Sequence, residues 1–234
     1  MPIKEKLLDF FYPKFCVSCQ KEGVYLCPDC FSKIEIFKNI HCPYCKKISF
    51  DGLVCQKHKK HLDNFVSAAS YANKTLRDII DAQKYKFVRE LSKPLALLIL
   101  KFLKENPKIE FFKNPSDFLI VPIPLSVRRL RWRGFNQAEE IAKELSPLIK
   151  IPIENEILIR RKNTKPQVTL SKKEKKENIK NAFLVNKEFE KKLKNKKIIL
   201  LDDVATTLST LEEAGRKIKE KGAREVWGLT VARG

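Results

Sequence analysis

The chain has 234 residues, of which 43% are hydrophobic, enough for the core of one moderate domain with an appendage or of two small domains. The formal net charge is +20, and residues 160–197 alone carry 15 Lys or Arg against 4 Glu. This excess suits a polyanionic partner, either nucleic acid or a phosphorylated substrate, and equally suits a solvated lysine-rich surface. No apolar run is long enough for a signal peptide or a membrane span, which predicts a cytoplasmic protein without membrane insertion.

An amphipathic helix is predicted for residues 3–11, and all seven cysteines follow between Cys16 and Cys55. They form three Cys-x2-Cys pairs, and a fourth pair is completed by a histidine. Two such pairs supply the four ligands of a tetrahedral zinc site, so the spacing predicts two zinc ions. The predicted ligands are Cys16, Cys19, Cys27, Cys30, Cys42, Cys45, Cys55 and His58.

The simplest arrangement of these ligands is sequential, with the first four on one ion and the last four on the other, although interleaved pairing also fits. His61 is an alternative to His58. An uneven cysteine count in a cytoplasmic chain disfavours disulfides. No ligand position is left open, so both ions are expected to be structural. The predicted boundary places residues 1–62 in this metal-bound unit and residues 63–234 in a second domain.

The second domain reads as alternating strands and helices. A strand is predicted at 65–72, helices at 75–84 and 89–104, a loop at 106–115 and a buried strand at 118–121.

Prolines end the strand at 118–121, and four arginines follow within six residues, at Arg128, Arg129, Arg131 and Arg133. A helix is then predicted from residue 135 to residue 145, stopping before Pro147. Arginine forks match phosphate geometry, so a cluster at the carboxyl edge of a strand suits a pyrophosphate. The alternative is an ordinary surface cluster.

Beyond this helix, a strand is predicted at 157–159 and a long basic loop at 160–178. A loop of this length in a compact domain is usually functional or disordered. Another strand is predicted at 182–185, followed by a polar hairpin or turn at 188–195.

The most informative stretch is KKIILLDDVATTLST, at 196–210. Ile198, Ile199, Leu200 and Leu201 predict a buried parallel strand that ends at Asp202 and Asp203. Hydroxyl residues then lead into a helix predicted at 211–221, and a last strand is predicted at 225–232. Carboxylates accept hydrogen bonds from ribose hydroxyls, and a helix N-terminus binds phosphate, so the pattern favours a phosphorylated sugar.

Three other interpretations of this stretch compete with a phosphorylated-sugar site. A P-loop NTPase would need GxxxxGK[ST], and a dinucleotide fold would need GxGxxG; neither is present. The third alternative is a core strand whose acids and threonines only cap a helix.

Three stretches together carry a wider resemblance: VPIPLSVRRLRWRGFNQAEEIA, RRKNTKPQVTLSKKEKKENIKNAF and IILLDDVATTLSTLEEA, in this order behind the cysteine-rich segment. The chain resembles the ComF family of phosphoribosyltransferase-like competence proteins, which includes GntX-type members. The resemblance implies an α/β fold with a type I phosphoribosyltransferase-like parallel sheet, flanking helices and a small N-terminal double zinc ribbon. It also implies a cytoplasmic role in DNA uptake or DNA processing, with single-stranded DNA and competence proteins as partners.

By the same resemblance, the acid pair and the residues after it form the binding loop for 5-phosphoribosyl-1-pyrophosphate (PRPP) with Mg²⁺. Asp202, Asp203 and Arg133 are the implied catalytic residues. The implied PRPP-binding residues are Asp202, Asp203, Val204, Ala205, Thr206, Thr207, Leu208, Ser209 and Thr210. The pyrophosphate and flexible loops contribute Arg133, Asn136, Gln137, Arg160, Thr164 and Gln167. Lys165 and the lysines at 172–176 are candidates for closing over the ligand.

Two positions depart from the usual motif. The usual loop has glycine where this chain has Leu208, and leucine adopts positive φ with difficulty, which predicts weakened or shifted PRPP binding. Purine-salvage enzymes have a further Asp where this chain has Thr206. The leading function is therefore a PRPP-binding, phosphoribosyltransferase-like protein of DNA uptake, with PRPP as substrate or regulatory ligand. A single-stranded-DNA-binding or scaffold protein with a degenerate PRPP site comes second, and a nucleotide-salvage enzyme third.

Overall fold

The computed structural model describes residues 13–49, 51–161, 174 and 179–234. The helix predicted at 3–11 lies outside the described residues, as does most of the basic loop predicted at 160–178. Within the described part, no helix is long and apolar enough to cross a membrane.

The described residues form a four-stranded parallel sheet in the order β1-β6-β5-β2, accompanied by an antiparallel pair, β3 and β4. The strands are β1 (Asn64–Ser70), β2 (Phe118–Pro122), β3 (Leu158–Arg160), β4 (Phe183–Val185), β5 (Lys197–Ala205) and β6 (Glu225–Arg233). The α-helices are α1 (Pro28–Ser32), α2 (Lys74–Tyr85), α3 (Ser92–Glu105), α4 (Glu110–Lys113), α5 (Val127–Arg133), α6 (Gln137–Ile149), α7 (Glu190–Leu193) and α8 (Ser209–Glu220). Short 3-10 helices occur at Gln56–His58, Arg89–Leu91, Pro115–Asp117 and Lys187–Phe189.

Helices cover both faces of the sheet, as the uninterrupted apolar run in β5 predicts. Successive side chains of a strand point to opposite faces. Ile199 and Leu201 pack with residues of α3 and α6, while Ile198 and Leu200 pack with residues of α8. All four side chains are fully buried. The predicted α/β class with a parallel sheet is confirmed.

Several predicted boundaries were wrong. The helix expected to stop before Pro147 continues to Ile149, because a proline in the last turn removes one hydrogen bond without breaking the preceding turns. The arginine cluster itself is helical, in α5. The loop predicted at 106–115 contains α4, and the polar turn predicted at 188–195 is a 3-10 helix followed by α7.

The cysteine-rich segment packs directly on the sheet. The backbone N–H of Phe37 donates to Ala68 O at 2.9 Å, and that of Phe65 donates to Gly52 O at 2.8 Å. On α8, a Cβ at Gly215 would lie 3.2 Å from His61 O, so glycine permits this close approach. The segment therefore contacts both edge strand β1 and the helix that follows β5.

Candidate functional site

The acid pair lies in the last four residues of β5, which extends to Ala205 and is therefore longer than predicted. The pairing of β2 with β5 ends at Pro122 opposite Leu201, whereas β6 still pairs with Asp202 and with Val204. The two aspartates therefore stand just beyond the carboxyl end of β2, at the sheet edge where ligands of parallel α/β folds bind.

A lysine that the sequence analysis missed neutralises one of these acids. Lys84 Nζ lies 2.9 Å from Asp203 Oδ2, and both side chains are largely buried. Burial lowers the pKa of Lys84, but the charge and hydrogen bond of Asp203 outweigh this effect and raise it. Burial and the neighbouring charge of Asp203 raise the pKa of Asp202 to about 7. The site therefore pairs one ion-paired carboxylate with one that ionises near neutrality.

Two predicted arginines lie close enough to the acid pair to interact with its charge. Arg133 is 9% exposed, and its Nε donates to Lys84 O at 3.0 Å. Burial lowers the pKa of Arg133, while Asp203 opposes the change. Burial and the charge of Arg129 lower the pKa of Arg160 to about 10, opposed by Asp202. Cationic groups from α2, α5 and β3 thus converge on the end of β5.

The two predicted amide residues lie at the start of α6. Asn136 Nδ2 donates to Ile123 O at 3.1 Å, just after β2, and Gln137 is 3% exposed. Among the described residues, Asn136 Oδ1 has no hydrogen-bond partner although it is buried. Thr164 and Gln167 lie outside the described residues, as do Lys165 and the lysines at 172, 173, 175 and 176.

The loop after the acid pair leads directly into the N-terminus of α8. A concavity here is lined by the predicted residues Asp202, Val204, Ala205, Thr206, Thr207, Leu208, Ser209 and Thr210. The N-cap residue, Leu208, has a hydrocarbon side chain that cannot accept hydrogen bonds from the first N–H groups of the helix. Those groups and the helix dipole favour an anion at this point.

Leu208 adopts the left-handed conformation that the sequence analysis assigned to glycine, with φ 59°. A leucine in this region costs about 1 kcal/mol, which burial of its side chain offsets by about 2 kcal/mol. The side chain is 5% exposed and packs in the apolar cluster beneath α8. The loop therefore keeps a glycine-like backbone, and leucine anchors it.

The predicted metal ligands form two clusters in the sequential arrangement. Cys16, Cys19, Cys27 and Cys30 make one, and Cys42, Cys45, Cys55 and His58 make the other. Within each cluster the ligand atoms all lie within 4.8 Å of one another. The sulfurs of Cys45 and Cys55 are 3.5 Å apart, close to the spacing around a tetrahedral zinc ion, and all seven cysteines are free thiols. Both donor sets fit zinc.

One thiol in each cluster favours the thiolate that zinc requires. Burial raises the pKa of Cys16, but backbone N–H donors, including that of Cys19, outweigh it and lower the pKa to about 6. Backbone donors, including that of Cys45, likewise outweigh burial and lower the pKa of Cys42 to about 6. In each cluster the backbone donors thus favour the charged form of one ligand, which is the form that binds zinc.

The segment that carries the second metal cluster is hydrogen-bonded to α8, the helix that follows the loop after the acid pair. Tyr44, between two of its cysteines, donates through its hydroxyl to Glu212 Oε1, and the N–H of His61 donates to Glu212 Oε2 at 2.9 Å. Glu212 lies in the first turn of α8. Burial and Glu212 raise the pKa of Tyr44, which keeps its hydroxyl a donor.

Comparisons with known proteins agree with this architecture. The sequence profile of the double zinc ribbon domain matches residues 7–59, and that of the phosphoribosyl transferase domain matches residues 132–233. Competence protein F of Haemophilus influenzae is 32% identical across 93% of this chain and 90% of that protein. Competence protein ComFC of Bacillus subtilis is 30% identical across 89% of this chain and 84% of that protein. DNA utilization protein YhgH of Escherichia coli is 29% identical across 75% of each chain. The chain therefore belongs to the ComF family, in which a double zinc ribbon is joined to a phosphoribosyltransferase domain.

Proposed function

We propose that the site at the end of β5 binds PRPP with Mg²⁺. The observation that carries the proposal is the juxtaposition of an acid pair, an uncapped helix N-terminus and buried cations at one sheet edge. Asp202 and Asp203 would accept from the ribose hydroxyls, directly or through Mg²⁺, a hard cation that prefers carboxylate oxygen. Residues 206–210 would hold the 5-phosphate.

The remaining groups suit the pyrophosphate of the same ligand. Arg133 and Arg160 are buried cations close to the acid pair, and Asn136 fixes the start of α6 against the end of β2 through its bond to Ile123 O. If PRPP is a substrate, a nucleophile displaces pyrophosphate at the anomeric carbon, and these arginines balance the charge on the leaving group. Thr206 occupies the position of the purine-salvage aspartate, which disfavours purine salvage.

Isothermal titration calorimetry tests this function. Zinc-loaded protein is titrated with PRPP and Mg²⁺, and the double variant Asp202→Asn, Asp203→Asn is compared with Asp117→Asn, which alters an exposed acid on another surface. We expect micromolar binding that the double variant weakens at least 30-fold and the control leaves unchanged. Equal binding by the double variant, with its fold and zinc content intact, would refute the proposal.

We also propose that the protein acts in DNA uptake, in contact with single-stranded DNA. Competence protein F and ComFC are similar over most of this chain. An exposed aromatic platform, formed by Tyr85, Phe87 and Trp132, supports the contact with DNA. Tyr85 and Trp132 are each 56% exposed, and the Phe87 and Trp132 rings pack edge to face at 5.1 Å.

Arginines lie on the same helix as Trp132 of this aromatic platform. Arg133 lies 5.8 Å from the Trp132 ring centre, and Arg128 and Arg131 are exposed on the same helix, α5. Aromatic faces stack with bases, and cations hold the phosphates between them, which is the composition of sites for single strands. The formal net charge of +20 adds a general attraction for the polyanion.

Trp132→Ala tests the aromatic platform. Loss of one stacked base is expected to weaken binding of an oligothymidylate about 10-fold in a fluorescence anisotropy titration. Leu97→Ala, at an exposed leucine of α3, serves as the control and should bind normally. Trp132 fluorescence should be quenched by the strand, while Trp227, 1% exposed, is shielded. Unchanged affinity in Trp132→Ala would contradict this placement of DNA.

A further inference from the structure

The ammonium of Lys84 lies where a metal ion on the acid pair would be expected. Its Nζ is 2.9 Å from Asp203 Oδ2, and the Lys84 and Asp203 side chains are 19% and 9% exposed. A Mg²⁺ ion binds a carboxylate oxygen at about 2.1 Å, so an ion on Asp203 Oδ2 would share that oxygen with the ammonium. Because two cations on one oxygen repel each other, this ion pair opposes metal binding at Asp203.

Lys84 is held through both its backbone and its side chain. It lies in the last turn of α2, where Arg133 Nε donates to its backbone oxygen at 3.0 Å. On the other side of the ion pair, the backbone N–H of Asp203 donates to Asp202 Oδ1 at 2.9 Å, which orders the two carboxylates relative to each other. The ammonium is therefore in place before any ligand arrives, and a metal ion on Asp203 would have to displace it.

Other cations add to the positive charge around the acid pair. Electrostatic interactions link Arg133 to Asp203 and Arg160 to Asp202, and Lys84 interacts with both aspartates. In the described part of the site, three cationic side chains therefore act on two carboxylates. These surroundings disfavour a divalent cation and attract an anionic ligand.

We infer that Lys84 serves as the resident cation of the acid pair, so that ribose hydroxyls bind Asp202 and Asp203 directly, without a metal ion between them. A hydroxyl that donates to a carboxylate forms a strong, charge-assisted hydrogen bond, which needs no metal. Mg²⁺ is then required only by the pyrophosphate of PRPP. The inference rests on the proposed phosphoribosyl site and extends its ligands to ribose 5-phosphates that lack pyrophosphate.

Electron paramagnetic resonance with Mn²⁺, as a probe for Mg²⁺, tests the role of Lys84 without PRPP. The zinc-loaded wild type is expected to bind no Mn²⁺ at the acid pair, so the Asp202→Asn, Asp203→Asn variant should give the same titration. Lys84→Gln keeps a donor to Asp203 but removes the charge, and it should acquire a Mn²⁺ site about 10-fold tighter than the residual binding of the wild type. Adding the acid-pair substitutions to Lys84→Gln should remove this site. Lys86→Met, at an exposed lysine just after α2, should resemble the wild type.

Calorimetry with ribose 5-phosphate tests the predicted ligand on the wild-type protein. We expect ribose 5-phosphate to bind with the same affinity, within about twofold, in the absence and in the presence of saturating Mg²⁺, because its hydroxyls meet the carboxylates directly. The acid-pair double variant should lose this binding. PRPP, in contrast, should gain affinity from Mg²⁺ through its pyrophosphate.

Three results would overturn the inference. They are Mn²⁺ that the wild type binds and the Asp202→Asn, Asp203→Asn variant does not, no gain of Mn²⁺ binding in folded Lys84→Gln, and ribose 5-phosphate that binds only with Mg²⁺ or not at all. If Lys84→Gln loses zinc or melts early, the two wild-type measurements decide. Failure of the proposed function has a different signature, since PRPP with Mg²⁺ would then not bind, or would bind equally to the acid-pair variant.

Discussion

Disrupting the second zinc cluster is expected to weaken ligand binding at the end of β5 strongly, whereas disrupting the first is not. Tyr44 and the backbone N–H of His61 both donate hydrogen bonds to Glu212. Tyr44 lies between two cysteines of the second cluster, and His61 follows its last ligand in the sequence. Hydrogen bonds to a charged group contribute about 1.5–3 kcal/mol each, and both hold the first turn of α8. The first cluster contacts the sheet domain farther from the site. The hydroxyl oxygens of Ser18 and Thr75 lie 3.3 Å apart, and Thr75 is at the opposite end of α2 from Lys84.

The matched variants are Cys45→Ser and Cys19→Ser, one cysteine in each cluster. Both are expected to lose one zinc, but only Cys45→Ser should lose PRPP affinity by 30-fold or more; Cys19→Ser should stay within about threefold. Hydrogen exchange supplies a readout that does not depend on PRPP, since amides of residues 211–214 should lose protection only in Cys45→Ser.

Tyr44→Phe keeps both zinc sites and removes a single donor to Glu212. It should lower PRPP affinity about fivefold, with normal zinc content. Equal losses in Cys45→Ser and Cys19→Ser, or full protection of α8 in Cys45→Ser, would contradict the proposed link between the ribbon and the loop.

Replacing Lys84 with methionine is expected to destabilise the protein by about 3 kcal/mol at pH 8, because it leaves Asp203 buried and unpaired. The raised pKa of Lys84 means that its ion pair contributes fully at pH 8, below the ordinary lysine value. As pH falls through about 7, the pKa of Asp202, protonation relieves the repulsion between the two acids. The destabilisation should therefore shrink to about 1 kcal/mol at pH 5.

Urea unfolding at pH 8 and pH 5 measures this difference. Lys86→Met changes an exposed lysine two residues away and should alter the free energy of unfolding by less than about 0.5 kcal/mol at either pH. The prediction is contradicted if Lys84→Met lowers the free energy of unfolding equally at both pH values, or by less than about 1 kcal/mol at pH 8. Lys84 would then not offset the negative charge of the two aspartates.

The sequence predicted the sheet and the metal ligands because both are encoded locally. Ile198–Leu201 is a continuous apolar run, which predicts a buried strand. Each Cys-x2-Cys pair has the spacing that lets two thiolates of one turn bind the same zinc ion. Lys84 and Tyr44 were not predicted as partners of the site. A lysine in the last turn of a helix is ordinary, and Tyr44 meets Glu212 only through a contact 168 residues apart in sequence.

Leu208 illustrates a second limit. From the sequence, a leucine at a glycine position predicts weakened or shifted PRPP binding, because leucine adopts positive φ with difficulty. The structure shows how tertiary packing compensates, since the side chain is buried in the cluster beneath α8. Likewise, Pro147 predicts the end of a helix, but a proline two residues before the last helical residue leaves most of the helical hydrogen bonds intact.

The most direct measurement is a crystal structure of the zinc-loaded protein with Mg²⁺ and PRPP. The account predicts the 5-phosphate within hydrogen-bonding distance of the backbone N–H groups of residues 206–210, and the ribose hydroxyls, directly or through Mg²⁺, on Asp202 and Asp203. PRPP bound elsewhere, or an empty loop at saturating PRPP, would contradict the central claim that this sheet edge is a phosphoribosyl site.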